Sequence, residues 1–211
     1  MSAAPGLNRA QYPSDVIALV VLWRLHYRLT LRDLVEMFLL CGIVFSHEAA
    51  RDWEVKLAPV FAGKLRQRRH GKGGPGRHSW HVNEAYLKVR GCWRYLYRAI
   101  DRNGNLGHTM LSEHRDMAAA QAFFRSAKSV MGIVPDKVTT DGHGSYPRAI
   151  RSTRGKRVTH RTNAHRNNAL EQDHRGIKGR VRCMRGFKSF TSADRFCRAY
   201  DELRNRLCPR V

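Results

Sequence analysis

The sequence predicts an α/β protein in two parts: a small helical unit, then a mixed sheet with flanking helices. Three observations carry that expectation. Apolar residues recur at helical spacing through the first quarter of the chain, a basic glycine-rich run follows, and strand-like alternation begins at Trp80. A chain of 211 residues has room for one medium domain plus a small helical one.

Residues 15–41 read as two helices, the second opening at Thr30 with Asp33 three positions on, a pairing whose side chains satisfy free backbone amides. Gly42 ends it. Ser46 is placed to cap a third helix to about Lys64, in which Ala49, Ala50, Trp53 and Leu57 form a buried stripe. Helix, glycine turn and helix is a helix-turn-helix layout, whose second helix would enter a major groove. Glu48, Asp52 and Glu54 on that helix have the wrong sign for a groove lined by phosphates. From Lys64 to His78 the run has four glycines, a proline and no acid, so it is expected to be a flexible basic linker. The expected division is therefore a helical DNA-binding unit over 1–63, a linker over 64–78 and a second domain over 79–211. Arg66, Arg68, Arg69, Lys72 and Arg77 in the linker are candidate contacts to a nucleic-acid backbone.

Trp80–Val89, Cys92–Asp101 and Leu106–Ser112 alternate as three strands, joined by an Arg90-Gly91 turn and by Arg102-Asn103-Gly104-Asn105, a strong hairpin signal. Asp116 caps a helix that turns Ala119, Ala120, Phe123, Phe124 and Ala127 to the core. A short strand from Lys137 to Thr140, a helix near Tyr146–Arg154, a strand near Arg157–Arg161 and helices over about Asn167–Cys183 and Thr191–Leu207 follow. Three antiparallel strands, then helix, strand, helix, strand and helices is the element order of a ribonuclease H-like fold.

Lys and Arg number 39 against 17 acids, a formal charge of +22. Such an excess repels itself unless a polyanion lies against it, which points to nucleic acid as partner. Charge alone selects no reaction: a basic RNA-binding protein would share it, and an anionic membrane surface would attract it. Five cysteines without any Cys-x-x-Cys pair argue for a reducing compartment and against a structural zinc site. The apolar stretch Val16–Trp23 is far short of the ~20 residues that span a bilayer, and the N-terminus has no signal layout, so a cytosolic protein is expected.

Phosphoryl transfer assisted by two Mg²⁺ ions needs carboxylates that converge from separate elements. In this fold the first strand, the end of the fourth and a late helix converge, and Asn83, Asp141 and Glu171 fall at those places. Arg175, Lys178 and Arg182 follow Glu171 at four, seven and eleven positions and so share its helix face. A carboxylate heading a basic stripe suits a metal ion beside a DNA phosphate, although a simple Glu171–Arg175 pair is the blander alternative. His160, His165 and His174 are expected to be phosphate contacts or satisfied surface histidines, because Mg²⁺ prefers hard oxygen.

These residues resemble the short bacterial insertion-sequence transposases of the insertion-sequence-six family, which carry an Asp-Asp-Glu triad. The resemblance spans nearly the whole chain. It rests on Ser46-His47-Glu48 with Trp53, Trp80-His81-Val82-Asn83-Glu84 with Tyr86-Leu87-Lys88-Val89, Trp93 through Asp101, and Thr139-Thr140-Asp141-Gly142-His143 with Ser145 through Ile150. It continues through Asn167-Asn168, Leu170 through Lys178, Met184 through Ser189 and Arg195 through Ala199. The resemblance implies a DDE recombinase that binds terminal inverted repeats and target DNA as a homo-oligomer in the bacterial cytoplasm at the nucleoid. It also implies Mg²⁺-dependent cutting and joining, the triad at positions 83, 141 and 171, and the basic residue after the glutamate at Lys178.

The first acid, however, is Asn83. Two divalent ions about 4 Å apart repel by roughly 16 kcal/mol at an effective dielectric of about 20, so a bridging anion is needed. An amide oxygen supplies no net charge. Glu84 cannot replace it, because neighbouring strand residues face opposite ways, unless the strand slips register by one. The sequence therefore leaves enzymatic activity open: an impaired Mg²⁺-dependent transposase, an inactive DNA-binding relative that interferes with active copies, or a basic RNA-binding protein.

Overall fold

A computed structural model describes residues 12–69, 78–101, 105–154, 158–163 and 168–207, with backbone alone at 69, 154 and 168–173. Three helices open it: α1 (Ser14–His26), α2 (Leu31–Leu40) and α3 (His47–Arg69). The Thr30 hydroxyl accepts the Asp33 N–H at 3.1 Å and the Asp33 carboxylate accepts the Thr30 N–H at 2.7 Å, closing the expected capping box. Ser46 Oγ accepts the Ala49 N–H at 3.1 Å and starts α3.

Five strands form one sheet in the order β3-β2-β1-β4-β5. β1 (Ser79–Val89), β2 (Cys92–Ile100) and β3 (Leu106–Ser112) are antiparallel, while β4 (Lys137–Thr140) and β5 (Thr159–Thr162) run parallel to β1. Between and after them come α4 (Met117–Met131), α5 (Ser145–Arg154), α6 (Asn168–Cys183) and α7 (Phe190–Leu207). This is the ribonuclease H-like arrangement that the element order predicts. The Arg102–Asn105 hairpin lies partly outside the described residues.

The pleat of β1 divides the protein into two cores. Trp80 and Val82 pack with Tyr97 and Ala99 against Phe123, Phe124, Tyr146 and Ile150 of α4 and α5. Ala85, Leu87 and Val89 point the other way, into a cluster with Leu96, Phe196 and Leu203 that also holds Ile17, Leu34, Trp53 and Leu57 from α1–α3. The N-terminal helices thus share a core with the second face of the sheet.

Two linker expectations change. Residues 64–69 are the last turns of α3, because Lys, Leu, Arg and Gln favour helix and nothing before Gly71 breaks it. Arg66 does not hang free there: its Nε donates to Glu202 Oε1 at 3.2 Å, joining α3 to α7. Residues 70–77, with Lys72 and Arg77, lie outside the described set. One of the three acids on α3 is also explained, since Glu54 is turned inward and takes the Nε–H of buried Arg24 at 3.2 Å.

The deepest polar contact joins the sheet to α7. Arg98 on β2 is fully buried and donates two hydrogen bonds to Asp201, which also accepts from the Thr109 hydroxyl. Removing one partner of such a pair strands a charge in low dielectric. Asp201→Ala is expected to lower unfolding free energy by about 3–5 kcal/mol, and the double change Arg98→Met with Asp201→Leu should recover most of it. Urea unfolding of the three proteins checks this.

Candidate active site

β1 and β4 start side by side. Their parallel pairing runs Ser79↔Lys137, Trp80↔Val138 and His81↔Thr139 and then stops. Carrying that register two residues further sets position 83 opposite position 141. Asp141 leads into Gly142, whose φ of 96° is open to glycine alone without strain, and a Cβ there would lie 2.7 Å from the Thr162 methyl. The turn holds Asp141 in place, with Oδ1 accepting the His143 N–H at 3.1 Å. Its side chain remains 30% exposed, so its oxygens can be reached from solvent.

Asn83 and Glu84 meet different surroundings. Asn83 is half-buried, faces the α7 side with its cross-strand partner Arg98, and its Oδ1 accepts the Glu84 N–H at 2.9 Å. Glu84 is buried on the α4–α5 side, where its carboxylate accepts from Arg115 and from the Tyr146 hydroxyl. The β1–β2 register runs unbroken from His81↔Ile100 to Val89↔Cys92, so no slip exchanges the two residues. Burial and then the charge of Glu84 push the Tyr146 hydroxyl well above its ordinary pKa, which keeps it a donor.

Arg115 connects that buried carboxylate to the exposed one. One guanidinium arm bonds Glu84, another donates to the Tyr86 hydroxyl at 2.9 Å, and Nη2 reaches Asp141 Oδ2 at 3.4 Å. Burial alone would loosen its proton, but the Glu84 hydrogen bond and charge, with Tyr86 and Asp141, outweigh that and raise its pKa. The sequence offers no spacing signal for this role, because Arg115 precedes a helix cap like many surface arginines.

Position 171 lies in the first turn of α6, one turn before His174. His174 is buried, and its pKa is pushed down to about 3 by burial first, then by Arg98 and Lys178. Arg98 pairs across from Asn83, so this stretch of α6 stands on the Asn83 face of the sheet. The expectation of a surface histidine at 174 is therefore corrected: neutral imidazole fills a gap between α6 and β2. His160 is half-buried and bonds Thr140 Oγ1 at 2.9 Å, and His165 lies outside the described residues. Arg175, Lys178 and Arg182 are exposed along α6, and Arg68 is exposed on α3. Arg180, not singled out by the sequence, donates to the carbonyls of Leu25 and His26 and ties α6 to the end of α1.

A family model described as a DDE domain, of the IS240 transposase type, matches residues 77–207. The transposase for the insertion sequence-like element IS431mec of Staphylococcus aureus (strain N315) is 34% identical over 174 residues, covering 81% of this chain and 75% of the relative. The chain belongs to the insertion-sequence-six family of DDE transposases. The S. aureus transposase for insertion sequence element IS257 in transposon Tn4003 matches at the same identity and coverage. Solved structures similar to this transposase include the HTLV-2 integrase catalytic core domain in complex with magnesium in its dimeric form, with a TM-score of 0.46 and 15% identity over 61% of this chain and 85% of that one. A simian T-cell lymphotropic virus intasome in complex with PP2A regulatory subunit B56 gamma has a TM-score of 0.45 and 13% identity over 76% of this chain and 58% of that one.

The donors that this transposase offers near β1 and β4 are hard oxygens, the carboxylate of Asp141 and the amide oxygen of Asn83. Among the described side chains no three of His, Cys, Asp and Glu stand together as a metal site. The Glu171 side chain is outside that description.

The low pKa of His174 has a measurable consequence. Between its usual 6.5 and about 3 the unfolded chain holds a proton that the folded chain refuses, so stability falls as pH drops through that window. The loss should approach about 1.4 kcal/mol per pH unit. His174→Gln should flatten this part of the stability profile, as read from urea unfolding at several pH values between 4 and 7.5.

Proposed function

We propose that this protein is a DNA-binding insertion-sequence transposase whose strand cleavage and transfer are impaired because Asn83 stands at the first acidic position. The observation that supports the reading is the fixed β1 register, which keeps Glu84 off the Asn83 face and commits it to Arg115 and Tyr146. The basic excess supports DNA as the partner. The α2–α3 pair is proposed to engage element ends as a helix-turn-helix, with Arg68, Arg69, Lys72 and Arg77 continuing along the backbone.

Asp141, Glu171 and Asn83 would hold Mg²⁺, which when bound activates the attacking oxygen and stabilises the leaving one. The chain's own residues set the conditions for that chemistry. Arg115 orients the Asp141 carboxylate from behind. Arg175, Lys178 and Arg182 bind phosphates along α6 and hold the strand against position 171. Asn83 contributes an oxygen without charge, so the pocket lacks the anion that would let two divalent ions sit close together. Binding without turnover also supports interference with active copies, since an assembly on two DNA ends that includes this protomer would be slowed.

Cleavage of a duplex carrying the inverted repeats that flank its gene is expected to be undetectable for the native protein with Mg²⁺ or Mn²⁺ and to appear in Asn83→Asp. Robust cleavage by the native protein would refute the reading. Binding has its own check. If the α6 stripe and the α3 terminus track phosphates, log K for duplex DNA falls linearly with log salt, and Lys178→Gln reduces the magnitude of that slope by roughly one. A slope near zero for the native protein excludes the electrostatic account.

A further inference from the structure

Beside the carboxylate pocket an open groove of about 770 Å³ runs between the β1–β2 hairpin and the C-terminal half of α6. One wall is aromatic, made by Tyr86, Trp93 and Tyr95, and Trp93 and Tyr86 are 59% and 41% exposed. The other wall is basic, made by Lys178, Arg182 and Arg185, and no acidic residue lines the groove among the described residues. Exposed aromatic rings leave apolar area in water and a row of like charges repels itself, so a ligand with flat faces and negative charge suits both walls.

The walls are built by separate devices that agree. The His81 end of β1 pairs with β4, whereas among the described residues no strand pairs with the Tyr86–Val89 end on that side, and the chain after α6 runs alongside it through a bridge between Val89 and Phe187. At the end of α6, Arg185 adopts a left-handed φ of 55°, unusual for a residue other than glycine or asparagine, and Gly186 follows at 79°. That turn brings Arg185 to the groove. Lys88 lies 5.7 Å from the centre of the Trp93 ring, and Tyr95 meets Tyr86 edge-on at 5.4 Å, so the aromatic wall is braced. Lys178 stands about 10 Å along α6 from position 171, one or two nucleotides away along a strand.

We infer that this groove binds unpaired nucleotides of a DNA strand, with Trp93 stacking on a base while Lys178, Arg182 and Arg185 hold the phosphates. The inference rests on the DNA-binding reading above and adds which form of DNA is taken: a frayed or single-stranded end next to the carboxylates. Aromatic faces with flanking cations are the general means of gripping single strands without reading sequence. An intact duplex offers no base face to Trp93, so the groove distinguishes open ends from closed ones. The principal alternative occupant, an acidic peptide, would use the charges but gain nothing from the bases.

The test uses the full chain and three DNA probes: a blunt duplex, the same duplex with a short thymidine tail, and that tail made of abasic residues. The native protein is expected to bind the tailed duplex about tenfold more tightly than the blunt one, with the abasic tail giving little of that gain. Trp93→Leu should abolish the gain and leave blunt-duplex affinity and the circular dichroism spectrum unchanged, and Trp93→Tyr should restore part of it. A gain that survives in Trp93→Leu, or that the abasic tail reproduces in full, overturns the inference in favour of charge alone. Blunt-duplex affinity reports on the DNA-binding reading separately, so a protein that binds blunt DNA but shows no tail gain refutes the groove and not that reading.

Discussion

The alternation of side chains along β1 is the constraint on which the rest depends. Trp80 and Val82 belong to one core and Ala85, Leu87 and Val89 to the other, and a shift of one position would drive Leu87 and Val89 into solvent and Tyr86 and Lys88 inward. Nine consecutive partners across β2 hold that register. The chemistry open to positions 83 and 84 is decided by packing far larger than either residue. Glu84 has the charge that Asn83 lacks, yet it is engaged by Arg115 and Tyr146 on the other face of the sheet.

Polar struts convey this frame to the helices. Arg98 fixes α7 through Asp201, Arg66 ties α3 to α7 through Glu202, and Arg180 ties α6 to the end of α1. The helix that carries position 171 is thus fastened to α1, which shares a core with the α2–α3 pair proposed to engage DNA. A displacement of α1 on binding would act on α6 through Arg180 and through Arg28, whose guanidinium carbon lies 3.2 Å from where a Cβ on Gly179 would stand. Glycine at 179 permits that close approach.

Much of the architecture was legible because its signals are local. Thr30 with Asp33, Ser46 and Asp116 announce helix starts through their own side chains, and the period-two pattern of Trp80–Val89 announces a strand. What stayed hidden depends on which faces meet. The burial of Glu84, the reach of Arg115 to Asp141, the buried neutral state of His174 and the inward turn of Glu54 toward Arg24 all arise from partners distant in sequence, 26 positions away for Asp141 and 30 for Arg24. The start of the expected linker lies later than the sequence suggests, for a different reason. Glycines from position 71 onward drew attention to a break, while the good helix formers before them carried α3 on to Arg69.

The sequence offers the site as three positions in an order, and the structure supplies side-chain neighbours for two of them, Asn83 and Asp141. The most direct measurement of the central claim is an anomalous difference map from crystals of Asn83→Asp grown with Mn²⁺. The account predicts two peaks about 3.5–4 Å apart among residues 83, 141 and 171, against a single peak in the native protein. Peaks remote from those three side chains, or a native protein that already holds the pair, would contradict it.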